Sequence, residues 1–426
     1  MPNASTPSRS LLKAVGPGLI FASSAIGTSH LVLSTRAGAH HGMMMLWIIM
    51  AALLLKYPFY EFGPRYANAT GYSLLKGYKD QGNWAVLVFM LMILVSMFAV
   101  TGAIAAVSAG LLSTLFGLSS IPVPILAGLI ILVTAILLWL GGYVGLDRFV
   151  KLISVVLLAT VFIAFVAVLA KGPVVPTEDF QAAPLLEGAG LTLLISLLGW
   201  MPSGMEASTM NSIWVIEKVR TENYQPTLKQ SLFDFNLGYI FTSVLALMFL
   251  TIGAFTLYGS GQLLEGNATQ FSNKLLNVFT ANLGQWAYPI LAIAAFGTIY
   301  GTLVAVMDAF PRSFVRGWRV LRFEEVKNDT EQQDFLNRTY KLLLIVVSIG
   351  GFLLFYLSAA SMIRILEFAT ILSFLIAPII SLMNLKAIRS DAVPASHRPP
   401  VWMMILAYIG LIAMLGFAVY YLLRLL

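Results

Sequence analysis

Glu206 is the only charged residue in a long apolar stretch, GLTLLISLLGWMPSGMEASTMNS over 190–212. An ionisable group in such a setting is costly to bury and marks a functional site by default. It follows directly on Gly199-Trp200-Met201-Pro202-Ser203-Gly204-Met205, a run that interrupts a helix. A carboxylate at the start of the half-helix beyond can bind a cation, or accept a proton if buried. It can equally cap that half-helix through its free N–H groups. A second polar run, Ser23-Ser24-Ala25-Ile26-Gly27-Thr28-Ser29-His30, sits inside the apolar stretch 16–42. Ser24, Thr28 and Ser29 offer hydroxyl oxygens. His30 offers an imidazole that can ligate a transition metal or titrate near neutral pH. The other reading of His30 is a structural histidine, hydrogen-bonded to carbonyls of the Glu206 stretch. Asp308 and Glu367 are further acids within apolar stretches. Arg312 lies four residues after Asp308 and Arg364 three before Glu367, spacings that suit intrahelical ion pairs. Both are therefore secondary candidates for cation binding.

These residues can meet only if long apolar helices position them. Of the 426 residues, 59% are hydrophobic and 11% charged, with a mean hydropathy of +0.86. Residues 81–146 contain no Asp, Glu, Lys or Arg. About 20 apolar residues cross the hydrocarbon core as a helix, and a soluble protein could not bury so many such runs. The fold class is an all-α polytopic membrane protein. The runs are too long, and too little alternating, for a β-barrel. Eleven spans are expected, at 14–37, 43–62, 86–113, 123–142, 150–170, 189–214, 236–258, 284–309, 342–358, 363–385 and 401–423.

Lys and Arg then set the orientation. With the N-terminus in the cytoplasm, only Arg36, Lys171, Lys274, Arg364 and Arg424 fall outside or at an outer helix end. The remaining 21 of 26 fall inside, Lys56 among them. Arg36 is read as snorkelling to the interface. The net charge of +7 is thus a matter of topology and not a nucleic-acid footprint. Arg312, Arg316, Arg319 and Arg322 would share one helical face in the polar segment 311–341, as a topology anchor or an amphipathic helix on an anionic leaflet.

The two interrupted spans are the first and the sixth. Unpaired backbone at membrane depth is tolerated only where it lines a protein cavity. Breaks at matching positions in two halves point to a transporter's binding site between inverted repeats. The expected organisation is a cytoplasmic stub at 1–13, not a removable signal peptide, and one transporter domain at 14–425. Its repeats would be 14–170 and 189–385, with 401–423 an added helix.

The chain has no cysteine, so disulfides, thiolate metal sites and cysteine nucleophiles are excluded. No HExxH, GxxxxGK[ST] or GxSxG motif occurs. An enzyme is not expected, nor ATP-driven transport within this chain, nor a resident cofactor.

The first span resembles the Nramp family of divalent-metal transporters. The likeness rests on Gly16-Pro17-Gly18, Arg36-Ala37-Gly38-Ala39, Leu46-Trp47, Met201-Pro202, and Ile371-Leu372-Ser373-Phe374 with Pro378. It implies a LeuT-type fold of five-plus-five inverted repeats with helices 1 and 6 broken, working by alternating access. It also implies a soft thioether ligand at Met201. Where the family has Asp-Pro-Gly-Asn, this chain has Gly27, Thr28, Ser29 and His30. Where the family has a histidine after Met-Pro, it has Ser203. The family's acid on the third helix has no counterpart, and its glutamine ligand falls near Ala369, close to Glu367.

The expected function is secondary transport of a cation of the divalent-metal class, Mn, Mg or Fe. The site would be Gly27, Thr28, His30, Met201, Ser203 and Glu206, helped by carbonyls freed near 25–27 and 199–201. The alternative is a small organic solute such as an amino acid, whose carboxylate would suit N–H groups at a half-helix N-terminus. Expected partners are the cargo and the lipid bilayer, with no nucleic acid and no obligate protein partner. The expected location is a bacterial inner membrane, with the C-terminus outside.

Overall fold

The computed structural model describes residues 16–140, 143–222, 224–262, 264, 268–322, 330–358 and 361–425. The expected stub 1–13 and positions 323–329 of the polar loop lie outside them. Among the described residues every regular element is helical.

Helix 1 is broken as expected. It consists of α1 (Pro17–Ala25), a π-helical turn (Ser29–Ser34) and α2 (Thr35–His41), with the two halves bent by 46°. Helix 6 is likewise split, into α8 (Gly188–Trp200) and α9 (Ala207–Glu222). Between the two lie α3 (Met44–Thr70), α4 (Leu74–Asp80), α5 (Asn83–Phe116), α6 (Val123–Trp139) and α7 (Tyr143–Lys171). Beyond them run α10 (Leu228–Leu257), α11 (Ala268–Leu283), α12 (Tyr288–Arg322), α13 (Thr330–Leu357), α14 (Met362–Ile388) and α15 (Val401–Leu425). Among the described residues seven helices are long and apolar enough to cross a membrane. The bent helix-1 pair adds one, and Val123–Trp139, Val156–Lys171 and Gly188–Trp200 are shorter apolar helices. That set is compatible with the eleven spans expected.

Three elements differ from expectation. The arginine stripe does not form a separate surface helix. No residue between Met307 and Arg322 ends the helix, Pro311 is accommodated inside it, and α12 runs on to Arg322. Arg312 pairs with Asp308, Arg316 with Glu217 on α9, and Arg319 is buried. Arg316 therefore ties α12 to α9. Second, α11 occupies a segment expected to be loop. It buries Phe271, Leu275, Leu276 and Phe279 along one side, so it is amphipathic and no span scan would find it. Third, the short α4 tucks beneath the bundle. Its Tyr78 hydroxyl reaches Thr209 at 2.8 Å and Asn384 at 2.5 Å.

Lipid tails are as apolar as leucine, so helix contacts rely on close packing and hydrogen bonds. Gly199 shows the packing limit: a Cβ there would lie 2.0 Å from the carbonyl oxygen of Thr370 on α14. Below the helix-1 break, Phe21 packs against Tyr60 and Phe235, with ring centroids 5.4 and 5.8 Å away. Pro58 disturbs the ladder of α3, and the Tyr239 hydroxyl donates to the nearby Leu53 carbonyl at 2.6 Å.

Candidate functional site

The two breaks face each other across a small cavity of about 50 Å³. From the helix-1 break come Ser24, Ala25, Thr28 and Ser29, and from the helix-6 break Ser203, Gly204 and Glu206. Val100 and Ile104 of α5 form an apolar wall, and the cavity extends toward Trp214 and Phe310. A water needs roughly 10–15 Å³ of such space, so about three to five waters, or an ion with part of its hydration shell, would fit. Pockets for organic ligands are typically about 300–1,000 Å³.

Glu206 is the one acid in this wall. It is 7% exposed, and its Oε2 has no hydrogen-bond partner. The carboxylate folds back over Gly204, where a Cβ would meet Oε1 at 2.3 Å, and it takes a hydrogen bond from its own backbone N–H. That bond is to its own residue and does not cap the helix beyond, and Oε2 is left without a partner. Thr28 is also buried, with Oγ1 unpartnered. Buried polar atoms are nearly always bonded in native proteins. Two orphaned oxygens in one cavity therefore call for a bound partner, water or ion.

The other expected residues divide. Ser24, Ser29 and Ser203 line the cavity. Ser24 donates to the Phe21 carbonyl at 2.8 Å, Ser29 to that of Ala25 at 2.7 Å, and the Ser203 carbonyl accepts from the Tyr60 hydroxyl. Gly27 does not line the cavity. It is pressed against α12, where a Cβ would lie 2.4 Å from Thr302 Oγ1. His30 is fully buried with both ring nitrogens occupied, Nδ1 by Ser29 Oγ at 2.7 Å and Nε2 by the Thr242 carbonyl at 2.9 Å. That carbonyl belongs to α10, not to helix 6. Met201 is buried outside the cavity lining, at a cis bond to Pro202. Asp308 is held by Arg312 at 2.6 Å and by the Tyr340 hydroxyl at 2.6 Å. Glu367 meets Arg36 at 3.3 Å across α14 and α2, not its own neighbour Arg364. Arg36 is thus 5% exposed and paired, and does not snorkel.

Sequence reasoning missed Lys56, which it had only counted among the inside charges although the expected span 43–62 contains it. Lys56 lies within α3, 2% exposed. Its ammonium donates to the carbonyls of Leu198 at 2.5 Å and Gly199 at 3.3 Å. The Gly199 carbonyl expected to face a cargo ion is therefore already taken. The signal was present, since a lysine inside an apolar span needs a partner, but the partner is backbone and carries no sequence mark. Asp234 was missed too. It accepts from the N–H groups of Gly16 and Gly18 at 2.8 and 2.7 Å and so caps α1. Asn211, one residue beyond the cavity-lining Met210, is buried with neither amide atom bonded.

Among the described residues no group of three His, Asp or Glu comes together. A cation here would complete its shell with hydroxyls, carbonyls and water.

The chain is 31% identical over 406 residues to an uncharacterized protein of Pasteurella multocida strain Pm70, covering 95% of this chain and 90% of that one. A manganese transporter from Eremococcus coleocola, solved as a histidine-to-alanine mutant, superposes with a TM-score of 0.66 at 14% identity, covering 98% of this chain and 87% of that one. A nucleobase-cation-symport-1 family transporter in a closed conformation gives a TM-score of 0.58 at 14% identity, covering 96% and 92%. At such identities the structural likeness is one of fold, the LeuT-type arrangement with helices 1 and 6 broken. The family model described as natural resistance-associated macrophage protein-like matches residues 18–424. The chain belongs to the Nramp family, a family of membrane transporters and not of enzymes.

Proposed function

We propose that this protein is a secondary transporter of a hard divalent cation, Mg²⁺ or Mn²⁺, bound between the two breaks. One observation carries the reading: Glu206, whose Oε2 has no hydrogen-bond partner, lines a cavity of about 50 Å³ together with Ser24, Thr28, Ser29 and Ser203. Mg²⁺ and Mn²⁺ suit oxygen ligands, and Mg²⁺ commonly keeps several waters while taking one or two carboxylates. The manganese named for the Eremococcus coleocola transporter supports the same class of cargo. The small volume weighs against an amino acid or comparable solute.

In this reading Glu206 supplies the anionic ligand that the family places on helix 1, and Thr28 supplies a neutral one. Ser24, Ser29 and Ser203 line the ion's hydration shell. Gly27, His30 and Met201 shape the breaks from behind, and Glu367 and Asp308 hold helices together at the two ends. The repeats are 14–170 and 189–385, with 401–423 added. The charge bias supports a cytoplasmic N-terminus and an outward C-terminus in a bacterial inner membrane, and it survives the removal of Lys56 from the inside count. The metal is cargo, and no resident cofactor or obligate protein partner is invoked.

Uptake of Mn²⁺ and Mg²⁺ into proteoliposomes tests the proposal, with amino-acid uptake measured in parallel. Metal flux that falls in Glu206→Gln is expected. Absence of metal flux and binding in the wild type, with Glu206→Gln unchanged, would sink it.

A further inference from the structure

We infer that Lys56 is a built-in cation that occupies the carbonyl end of half-helix α8 and sets the charge a cargo ion meets. The last four carbonyls of a helix have no partners within it, and the C-terminal end carries about half a negative charge. In α8 that end lies at membrane depth, where free carbonyls form a ready cation site. Lys56 fills it from α3 with donors to Leu198 and Gly199. Its stem borders a separate apolar cavity of about 220 Å³, lined also by Leu55, Leu194, Phe374 and Met414. One turn along α3, the Tyr60 hydroxyl donates to the Ser203 carbonyl, so this face of α3 runs along the helix-6 break that ends at Glu206.

The consequence is electrostatic. Without Lys56 the helix-6 break would present a carboxylate and free carbonyls, a strongly cation-attracting end. With it the formal charges of the two side chains cancel. A divalent ion at Glu206 then meets a fixed positive charge nearby, which weakens binding and favours release. The tethered ammonium also takes the place of a free coupling ion at these carbonyls.

This inference rests on the cation reading above, and the experiment separates the two. Mn²⁺ and Mg²⁺ binding to purified protein is measured by calorimetry for the wild type, Lys56→Gln and Lys56→Met, with Na⁺, K⁺ or methylammonium present or absent. Removing the fixed charge should tighten Mn²⁺ binding on the order of tenfold, and added monovalent cations should then bind and partly reverse the gain. Structural damage alone would weaken binding, so the direction of change is diagnostic. Unchanged or weaker Mn²⁺ affinity in folded variants, with no monovalent effect, overturns the inference. Variants that stay monodisperse only with a monovalent cation support it, since a free ion then fills the carbonyls. Variants that aggregate alike in every medium count against it. If the wild type binds neither Mn²⁺ nor Mg²⁺, the cation-transport reading fails and Lys56 is judged on the monovalent-cation response alone.

Discussion

The breaks in helix 1 and helix 6 look alike in outline and differ in chemistry. Helix 1 unwinds over Ile26–Thr28 without a charged residue, and its polar groups are mostly satisfied nearby: His30 by Ser29 and Thr242, Ser29 by Ala25. Helix 6 unwinds over 201–206 and carries a buried carboxylate with a free oxygen, while the half-helix before it ends on a buried ammonium. An interruption thus supplies geometry and exposed backbone, but the charge that selects a ligand can sit on either side of the cavity. In this chain the acid that lines the cavity is on helix 6.

Several measurements sharpen or break that contrast. Glu206→Gln should lower Mn²⁺ uptake in proteoliposomes by more than about a hundredfold, since even groups that only orient metal ligands cost about 10- to 100-fold. Wild-type uptake in that variant would return the charge-bearing role to some other group. Gly27→Ala places a Cβ 2.4 Å from Thr302 Oγ1, and should cost about 1–3 kcal/mol through overpacking. A lowered melting temperature would register this, and an unchanged one would show that the helix-1 break has slack. Thr28→Val removes an unbonded buried hydroxyl and should weaken Mn²⁺ binding a few-fold with little loss of stability. His30→Gln should cost about 1 kcal/mol of stability for its lost hydrogen bonds and leave Mn²⁺ affinity nearly unchanged. A large affinity loss there would reinstate histidine as a ligand. The smallest effect is expected from a pH-sensitive dye inside the vesicles. The α5 wall of the cavity is Val100 and Ile104, so metal entry should bring little acidification. Strong metal-dependent acidification would require a proton path elsewhere.

Much of the fold was legible because membrane spans write themselves in composition. The breaks were legible because Pro202 and the Gly-Ser runs oppose a regular helix. Glu206 was legible because a carboxylate among apolar residues stands out. The rest was hidden for specific reasons. α11 alternates apolar and polar faces, so a scan for uniformly apolar stretches passes over it. Asp308 and Arg312 pair as their spacing suggested, whereas Glu367 pairs across helices with Arg36, which no local spacing encodes. The direction in which His30 and Met201 point depends on how the chain leaves each break, and a one-dimensional pattern does not carry that direction.

By itself the sequence determined a polytopic helical membrane protein, two interrupted helices five spans apart, and a single acid beside one of them. These follow from hydropathy and backbone chemistry, which act locally. Only the tertiary structure decided that His30 turns away to α10, that Gly27 is pinned by Thr302, and that Lys56 closes the carbonyl end of α8. Those outcomes depend on which backbone groups distant segments bring within hydrogen-bond reach, and backbone groups are the same at every position in a sequence.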